Sequence, residues 1–318
     1  MVSRFGDFGM RILVTGGAGF IASHIADAYI SAQHSVAVVD DLSTGKRENV
    51  PQKAQFFEVD IRNSNALRKV FEDFNPDVVN HHAAQASVPR SSQNPQYDAS
   101  VNIIGSLNLL SLSVEFGVKR FIYASTGGAV YGEPQQLPVN EDHPLMPTSP
   151  YGISKMVVEH YLRFFGKEQG LSWVALRYGN VYGPRQDPTK GAGVIAIFAA
   201  RMLRGERPVI YGDGSAERDY IYISDVVAAN IAALKYGQGP LNIATGKPTS
   251  VMQIYEAVSA VLGWDKGFEK RPMRPGEVQR VSLSVTQAYK TLNWKPQVGL
   301  EEGVRRTVDW VRANINRL

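Results

Sequence analysis

Six short runs of apolar, largely β-branched residues recur along the first part of the chain: RILVT (11–15), SVAVVD (35–40), AQFFEV (54–59), DVVNHH (77–82), RFIYAS (120–125) and WVALRY (173–178). Strands covered on both faces read as unbroken apolar runs, whereas strands with one wet face alternate. Between these runs, residues 19–33, 64–74 and 100–117 carry apolar residues at spacings of three and four, the period of a helix. Parallel strands cannot be joined by tight turns and need a crossover, usually a helix. The rhythm therefore predicts an α/β fold, a Rossmann-type doubly wound parallel sheet with helices on both faces.

The first strand runs directly into TGGAGFIASH, with Gly16, Gly19 and Ala22 three apart. Such a turn lets the backbone approach a pyrophosphate, which then rests on the N–H groups and positive dipole end of the next helix. Ala22 keeps the third position small enough for helix and sheet to pack closely. With 29 glycines in the chain, the spacing alone would mean little. Its place between a strand and a helix, with an acidic residue, Asp40, ending the second strand, gives it meaning. Asp40 is expected to accept hydrogen bonds from an adenosine ribose and to repel a 2′-phosphate, which favours NAD over NADP. Asp60 and Ile61, after the third strand, are expected to flank the adenine.

A second motif lies in SPYGISK (149–155). With 14 tyrosines and 13 lysines, chance alone supplies roughly half a Tyr-x-x-x-Lys. Here Ser149 is a good N-cap and Pro150 a good first helical residue, so Tyr151 and Lys155 fall one turn apart on one helix face. A tyrosine normally titrates near 10, and the neighbouring ammonium together with a positive nicotinamide is expected to lower it toward neutral pH, making the phenol a general base. The fifth strand ends in YASTGGAVYG and brings Ser125 or Thr126 to the carboxyl edge of the sheet, where ligands bind. Either hydroxyl could bond a substrate oxygen and pass its proton to Tyr151.

Beyond about residue 180 the rhythm breaks into loops rich in glycine and proline, GPRQDPTKGAG, GDGSAERD and KRPMRPGE. The expected division is an N-terminal extension over 1–9, an NAD-binding Rossmann domain over 10–180, and a smaller α/β substrate lobe over 181–318, with some chain crossing between lobes. LEEGVRRTVDWVRANI reads as an amphipathic capping helix. The aromatic pairs Phe164-Phe165 and Tyr220/Tyr222 read as core.

The chain has no cysteine, which excludes disulfides, thiolate metal sites and a cysteine nucleophile. His81 and His82 are expected to pack beside the cofactor, and no residue set has metal-ligand spacing. No apolar run reaches the ~20 residues of a membrane helix and no secretory leader is visible, so the expectation is a cytoplasmic protein without a membrane partner. The net charge of +4 is scattered, which suits an anionic small molecule and gives no nucleic-acid patch.

These stretches, with HHAAQASV (81–88), VNIIGSLNLL (101–110), LRYGNVYGPRQ (176–186), RDYIYISDV (218–226), NIATG (242–246) and RPGE (274–277), resemble the extended short-chain dehydrogenase/reductase family. Within it the chain is most similar to the UDP-glucose (UDP-galactose) 4-epimerases, over about residues 10–315. The resemblance implies NAD held through turnover and a catalytic set of Thr126, Tyr151 and Lys155. It implies cofactor contacts from Gly16, Gly19, Phe20, Ile21, Asp40, Asp41, Ser43, Thr44, Gly45, Asp60, Ile61, Ala83, Ala84 and Tyr178, with Asn102 supporting the site from its helix. For a UDP-hexose substrate it implies Gln85, Thr126 and Asn180, Val194 at the base pocket, Arg218 and Arg274 as phosphate clamps, and Val281 as a gate beside the sugar C2. It also implies a homodimer through the helices at about 100–117 and 151–166.

The chain departs from the family pattern in three places. STGGAVYG carries one extra residue, so Ser125 is the alternative hydroxyl to Thr126; Ala22 replaces the third glycine; Ser284 stands where aspartate is common. A 4,6-dehydratase would carry an Asp-Glu pair directly after Thr126, where this chain has Gly127-Gly128. A uronate 4-epimerase or another nucleotide-sugar enzyme of the family stays open, because Arg185 could meet a sugar carboxylate. A non-catalytic dinucleotide-sensing protein is the remaining alternative.

Overall fold

The computed structural model describes residues 9–190, 193–272 and 278–318. Most of the expected extension, and Arg274 among the expected phosphate clamps, lie outside the described residues.

The six apolar runs all form strands. They are β1 (Arg11–Thr15), followed by helix α1 (Phe20–Ser31); β2 (Ser35–Asp40); β3 (Gln55–Glu58), followed by α2 (Ser64–Phe74); β4 (Val78–His81); β5 (Arg120–Thr126); and β6 (Trp173–Tyr178). Between β4 and β5 lie the short helices α3 (Val88–Gln93) and α4 (Pro95–Ala99), a π-helical turn (Ser100–Ile104) and α5 (Gly105–Glu115). Helix α6 (Pro150–Gln169) joins β5 to β6.

After β6 come β7 (Asn180–Tyr182), α7 (Val194–Leu203), β8 (Val209–Tyr211), β9 (Glu217–Tyr222), α8 (Ile223–Ala233) and β10 (Gly239–Ile243). The chain finishes with β11 (Pro248–Ser250), α9 (Val251–Leu262), β12 (Glu269–Arg271), α10 (Thr286–Leu292) and α11 (Leu300–Asn314).

The main sheet has seven strands in the order β10-β6-β5-β4-β1-β2-β3, and every pairing in it is parallel. Its seventh strand comes from beyond residue 180: α8 and β10 return to it. Because side chains alternate across a strand, Ile12 and Val14 pack with α1, α8 and α10 on one face, while Leu13 packs with α2, α5 and α6 on the other. Each fully buried aliphatic or aromatic side chain in these layers contributes about 1.5–3 kcal/mol.

The remaining elements form a smaller unit. Strand β9 pairs in parallel with β7 and antiparallel with β11, β8 pairs with β12, and α7, α9 and α11 enclose their own apolar core. Helix α11 buries Gly303, Val304, Thr307, Val308 and Val311, the inward face of the amphipathic pattern. Tyr220 and Tyr222 lie in that core, as expected. Phe164 does not: it is 53% exposed on α6, in a stripe with Ile153, Val157 and Tyr161, while Val158 and Leu162 form the inward face. The helix carries two apolar stripes, and its sequence does not tell which one the sheet covers.

Candidate active site

The order of the strands reverses between β1 and β4, and the loops leaving the carboxyl ends of β1, β2, β4, β5 and β6 supply the site, as open α/β sheets require. Gly16 has φ +70°, and a Cβ there would lie 2.7 Å from Ala83 N; a Cβ on Gly17 would lie 2.6 Å from Val38 Cγ1. Only glycine lets the turn sit this deep against the neighbouring strands. Helix α1 starts at Gly19 with no side chain capping it. Its first-turn N–H groups thus form an anion-binding end of the kind a pyrophosphate occupies.

Asp40 Oδ2 accepts from Ala18 N at 3.0 Å and Oδ1 from Leu42 N at 2.9 Å, tying the end of β2 to the glycine turn. Burial raises its pKa and these two N–H donors oppose that rise. The loop after β2 folds back on the same turn. Asp41 accepts from Ser43 N and Oγ, Thr44 is exposed, and Gly45 leaves no room for a Cβ between Ala18 and Asp40. Phe20 and Ile21 open α1 and pack toward the core of the smaller unit. This cradle of close-packed glycines, a bare helix end and a carboxylate beside it fits a dinucleotide.

Other expected contacts are placed differently. Asp60 is held bidentate by Arg62, which lowers its pKa, and the Ile61 side chain is buried against Gly105. What these two residues present to an adenine is backbone and the outer edge of an ion pair. His82 Nε2 and Tyr178 OH are 3.1 Å apart, and burial drives the imidazole down to about 3, so the ring is neutral. His81 lies between Thr15 Oγ1 and Ser106 Oγ, and no metal-binding group of side chains occurs among the described residues.

Helix α6 begins as its sequence dictates: Ser149 Oγ accepts from Gly152 N at 3.2 Å, and Pro150 occupies the first turn. That start sets Tyr151 and Lys155 one turn apart, facing the end of β5. The Thr126 hydroxyl lies close enough to the Tyr151 phenol to lower its pKa. Lys155 Nζ donates to Ala124 O at 2.8 Å and lies 4.8 Å from the Tyr123 ring and 6.0 Å from the Tyr151 ring.

Ser125 faces away from this group and donates to Glu159 Oε1 at 2.6 Å. Adjacent strand residues point to opposite faces, so the structure separates the two candidate hydroxyls and brings only Thr126 to the tyrosine. Glu159 in turn pairs with Arg177, Nη2 to Oε2 2.6 Å, and both side chains are almost fully buried.

In the protein alone, burial dominates the electrostatics of both residues. Burial pushes Tyr151 up to about 12; the neighbouring Thr126 hydroxyl lowers it and the Asp98 carboxylate raises it further. Burial also pushes Lys155 down to about 8, against the opposing pull of Asp98 and Glu159. Burial sets the Tyr151 value in the protein alone, while the expected acidification needs Lys155 together with a bound positive nicotinamide.

Asn102, on the π-helical turn, donates to Gln85 O, Asp98 Oδ1 and Ser154 Oγ, and its Oδ1 accepts from Gln85 N. It joins the loop after β4, through which Ala83 and Ala84 pass, to α6. The Gln85 amide is used within this network, donating to Ser87 O and Asp98 Oδ1 and accepting from Ser87 N. Asp98 Oδ2 is buried without a partner. The sequence reading missed Asp98; its signal was an acidic residue one helical turn before Asn102.

On the far side of Thr126, Asn180 opens β7 and is exposed. A Cβ on Gly128 would lie 3.4 Å from Asn180 Oδ1 and 3.9 Å from Thr126 Oγ1, so the two polar side chains flank position 128. Arg218, on β9 beside β7, donates to Glu217 O, and Val194 begins α7 half-buried. Val281 is only 3% exposed and packs with Val130, Tyr131, Val139 and Leu283, which makes it part of the wall's interior rather than a gate in its surface. Arg185 is held by Ser23 Oγ and Asp27 on α1, so the cation that kept a uronate substrate open is already paired.

The NAD dependent epimerase/dehydratase family matches residues 12–244. A putative UDP-glucose 4-epimerase of Methanocaldococcus jannaschii is 44% identical over 305 residues, covering 95% of this chain and 99% of the relative. The crystal structure of a UDP-glucose 4-epimerase with UDP-glucose from Thermotoga maritima superposes with TM-score 0.95 at 48% identity, over 96% of this chain and 100% of the other. That of a Thermus thermophilus UDP-glucose 4-epimerase in complex with NAD gives TM-score 0.92 at 46% identity, over 95% and 99%.

Proposed function

The chain belongs to the NAD-dependent epimerase/dehydratase family, and we propose that it interconverts UDP-glucose and UDP-galactose by epimerization at C4. The observation that carries this reading is the Thr126 hydroxyl acting on the Tyr151 phenol beside Lys155, with glycine rather than an acid pair at positions 127 and 128.

When bound, NAD supplies at C4 the redox chemistry that takes the sugar through a 4-keto intermediate, and a positive ring that favours the phenolate. In this reading Gly16, Gly17, Gly19 and Asp40 hold the dinucleotide. Tyr151 removes the proton of the 4-hydroxyl and returns it to the ketone oxygen. Thr126 bonds both the phenol and the sugar oxygen and so sets the line of transfer. Lys155, anchored on Ala124 O, brings a positive charge to the floor of the site. Asn180 and Arg218, with Arg274, grip the diphosphate; charge-assisted bonds there fix one end of the substrate while the hexose end stays loosely held.

The domain division follows: residues 10–180 with the returning α8 and β10 serve the dinucleotide, and the remainder of 181–318 serves the nucleotide sugar. A homodimer is supported by the exposed stripe of Ile153, Tyr161 and Phe164 on α6 with Ile104 nearby, and sedimentation equilibrium tests it. The proposed setting is cytoplasmic, with which a chain without cysteine is compatible.

The test of the function is direct. Purified protein given UDP-galactose and no added cofactor should yield UDP-glucose. Failure to do so in a preparation shown to contain NAD would refute the assignment.

A further inference from the structure

Most of the described glycines have a visible reason to be glycine. Gly16 and Gly132 have φ +70° and +69°, and a Cβ on Gly127 or Gly152 would lie 2.3 Å from Leu283 Cδ1 or 2.6 Å from Ala129 O. Gly128 has neither reason. Its φ lies outside the left-handed region, and a Cβ there would meet only Asn180 Oδ1 at 3.4 Å and Thr126 Oγ1 at 3.9 Å, with nothing else within 4 Å. Backbone and packing would both admit a side chain. The position is partly exposed, and the two atoms flanking it are polar.

We propose that Gly128 is a clearance residue, whose bare backbone leaves beside Thr126 the room a hexose needs to present first one face of C4 and then the other to the same tyrosine. The proposal rests on the epimerase reading. A catalyst that returns a proton and a hydrogen to either face of one carbon must hold the ring in two orientations while the diphosphate stays gripped. The ring sweeps a larger volume in passing between them than it fills in either. A side chain at position 128 would project between Thr126, which bonds the reacting oxygen, and Asn180, near the fixed end. It would stand inside the swept volume without touching the reacting atoms in either resting orientation. The ordinary backbone conformation also means that substitution brings no φ strain.

Gly128→Ala and Gly128→Val, each carrying NAD, test the idea. The valine variant should lose about 100-fold in kcat, the order expected when a substrate is held out of reacting geometry. Its KM, and its affinity for UDP-glucose by calorimetry, should differ from wild type far less than kcat does, by about 5-fold at most, because Asn180 alone of the residues gripping the diphosphate adjoins position 128. The alanine variant should fall between the two. The first-turnover rise in reduced-nicotinamide absorbance on mixing with UDP-glucose should be preserved in the valine variant, since the first orientation remains reachable.

Wild-type kcat in the valine variant would overturn the proposal. So would a loss that appears in KM and affinity instead of kcat, or a first-turnover signal that disappears together with epimerization. If wild-type protein binds UDP-glucose and NAD but never forms UDP-galactose, the epimerase reading itself fails, an outcome distinct from these.

Discussion

Replacing Lys155 by methionine should stabilise the nucleotide-free protein while abolishing its activity. Lys155 is 4% exposed, and burial lowers its pKa from 10.5 to about 8. Because the folded value lies below the unfolded one, the unfolded chain binds more protons between those values, and stability rises with pH across that window. The penalty is fully present below about pH 8 and gone above about pH 10.5. At 1.36 kcal/mol per pKa unit, it amounts to about 3 kcal/mol at pH 7. Methionine matches the length of the side chain and removes the charge, but it leaves Ala124 O without its 2.8 Å partner, a loss of about 1 kcal/mol. The net gain is about 2 kcal/mol at pH 7. At pH 9.5 the remaining penalty is about 1 kcal/mol, and the two proteins should be equally stable. Urea unfolding with nucleotide removed, at both pH values, measures this. A variant less stable than wild type at pH 7, or a difference independent of pH, would show that Lys155 is a structural anchor and not a strained functional charge.

Three further outcomes follow from the same neighbourhood. Asp98→Asn removes a buried negative charge that raises the pKa of both Tyr151 and Lys155, so the acid limb of the kcat/KM profile should move to lower pH; an unmoved or raised limb would contradict the placement. Thr126→Ala should lower kcat by about 100-fold, whereas Ser125→Ala should stay within about 3-fold, since its hydroxyl serves Glu159; the reverse order would exchange their roles. Arg177→Met strands the Glu159 carboxylate and should cost about 3–5 kcal/mol in urea unfolding, while the double variant Glu159→Leu/Arg177→Met should recover most of it; a double variant as unstable as the single one would deny the pairing its part.

What could be read from the sequence was whatever depends on neighbours along the chain. Gly16, Gly19 and Asp40 declare a dinucleotide turn because strand, turn and helix start are local events, and Tyr151 and Lys155 declare a shared face because one helical turn separates them. Quantities set by what surrounds a residue were hidden. The spacing of Tyr151 and Lys155 suggests an ammonium acidifying a phenol, yet burial raises one and lowers the other, and burial is decided by β5, α4 and the π-helical turn. Arg177 and Glu159 lie on a strand and a helix, and no periodicity joins them. Ser125 against Thr126 was closer to legible, since strand alternation puts them on opposite faces; choosing the face needed Glu159. The outward stripe on α6 shows the same limit, because an apolar pattern tells that a face will be covered without telling by what.

Glycine at positions 16, 127 and 128 stands for three causes: a left-handed turn, a wall at Leu283, and an opening beside Thr126. Only the first leaves a trace in spacing. The second becomes visible when a Cβ is placed and found to collide. The third appears when the same Cβ is placed and found to have almost nothing to meet, and it is this absence of a structural reason that directs attention from the fold to the substrate.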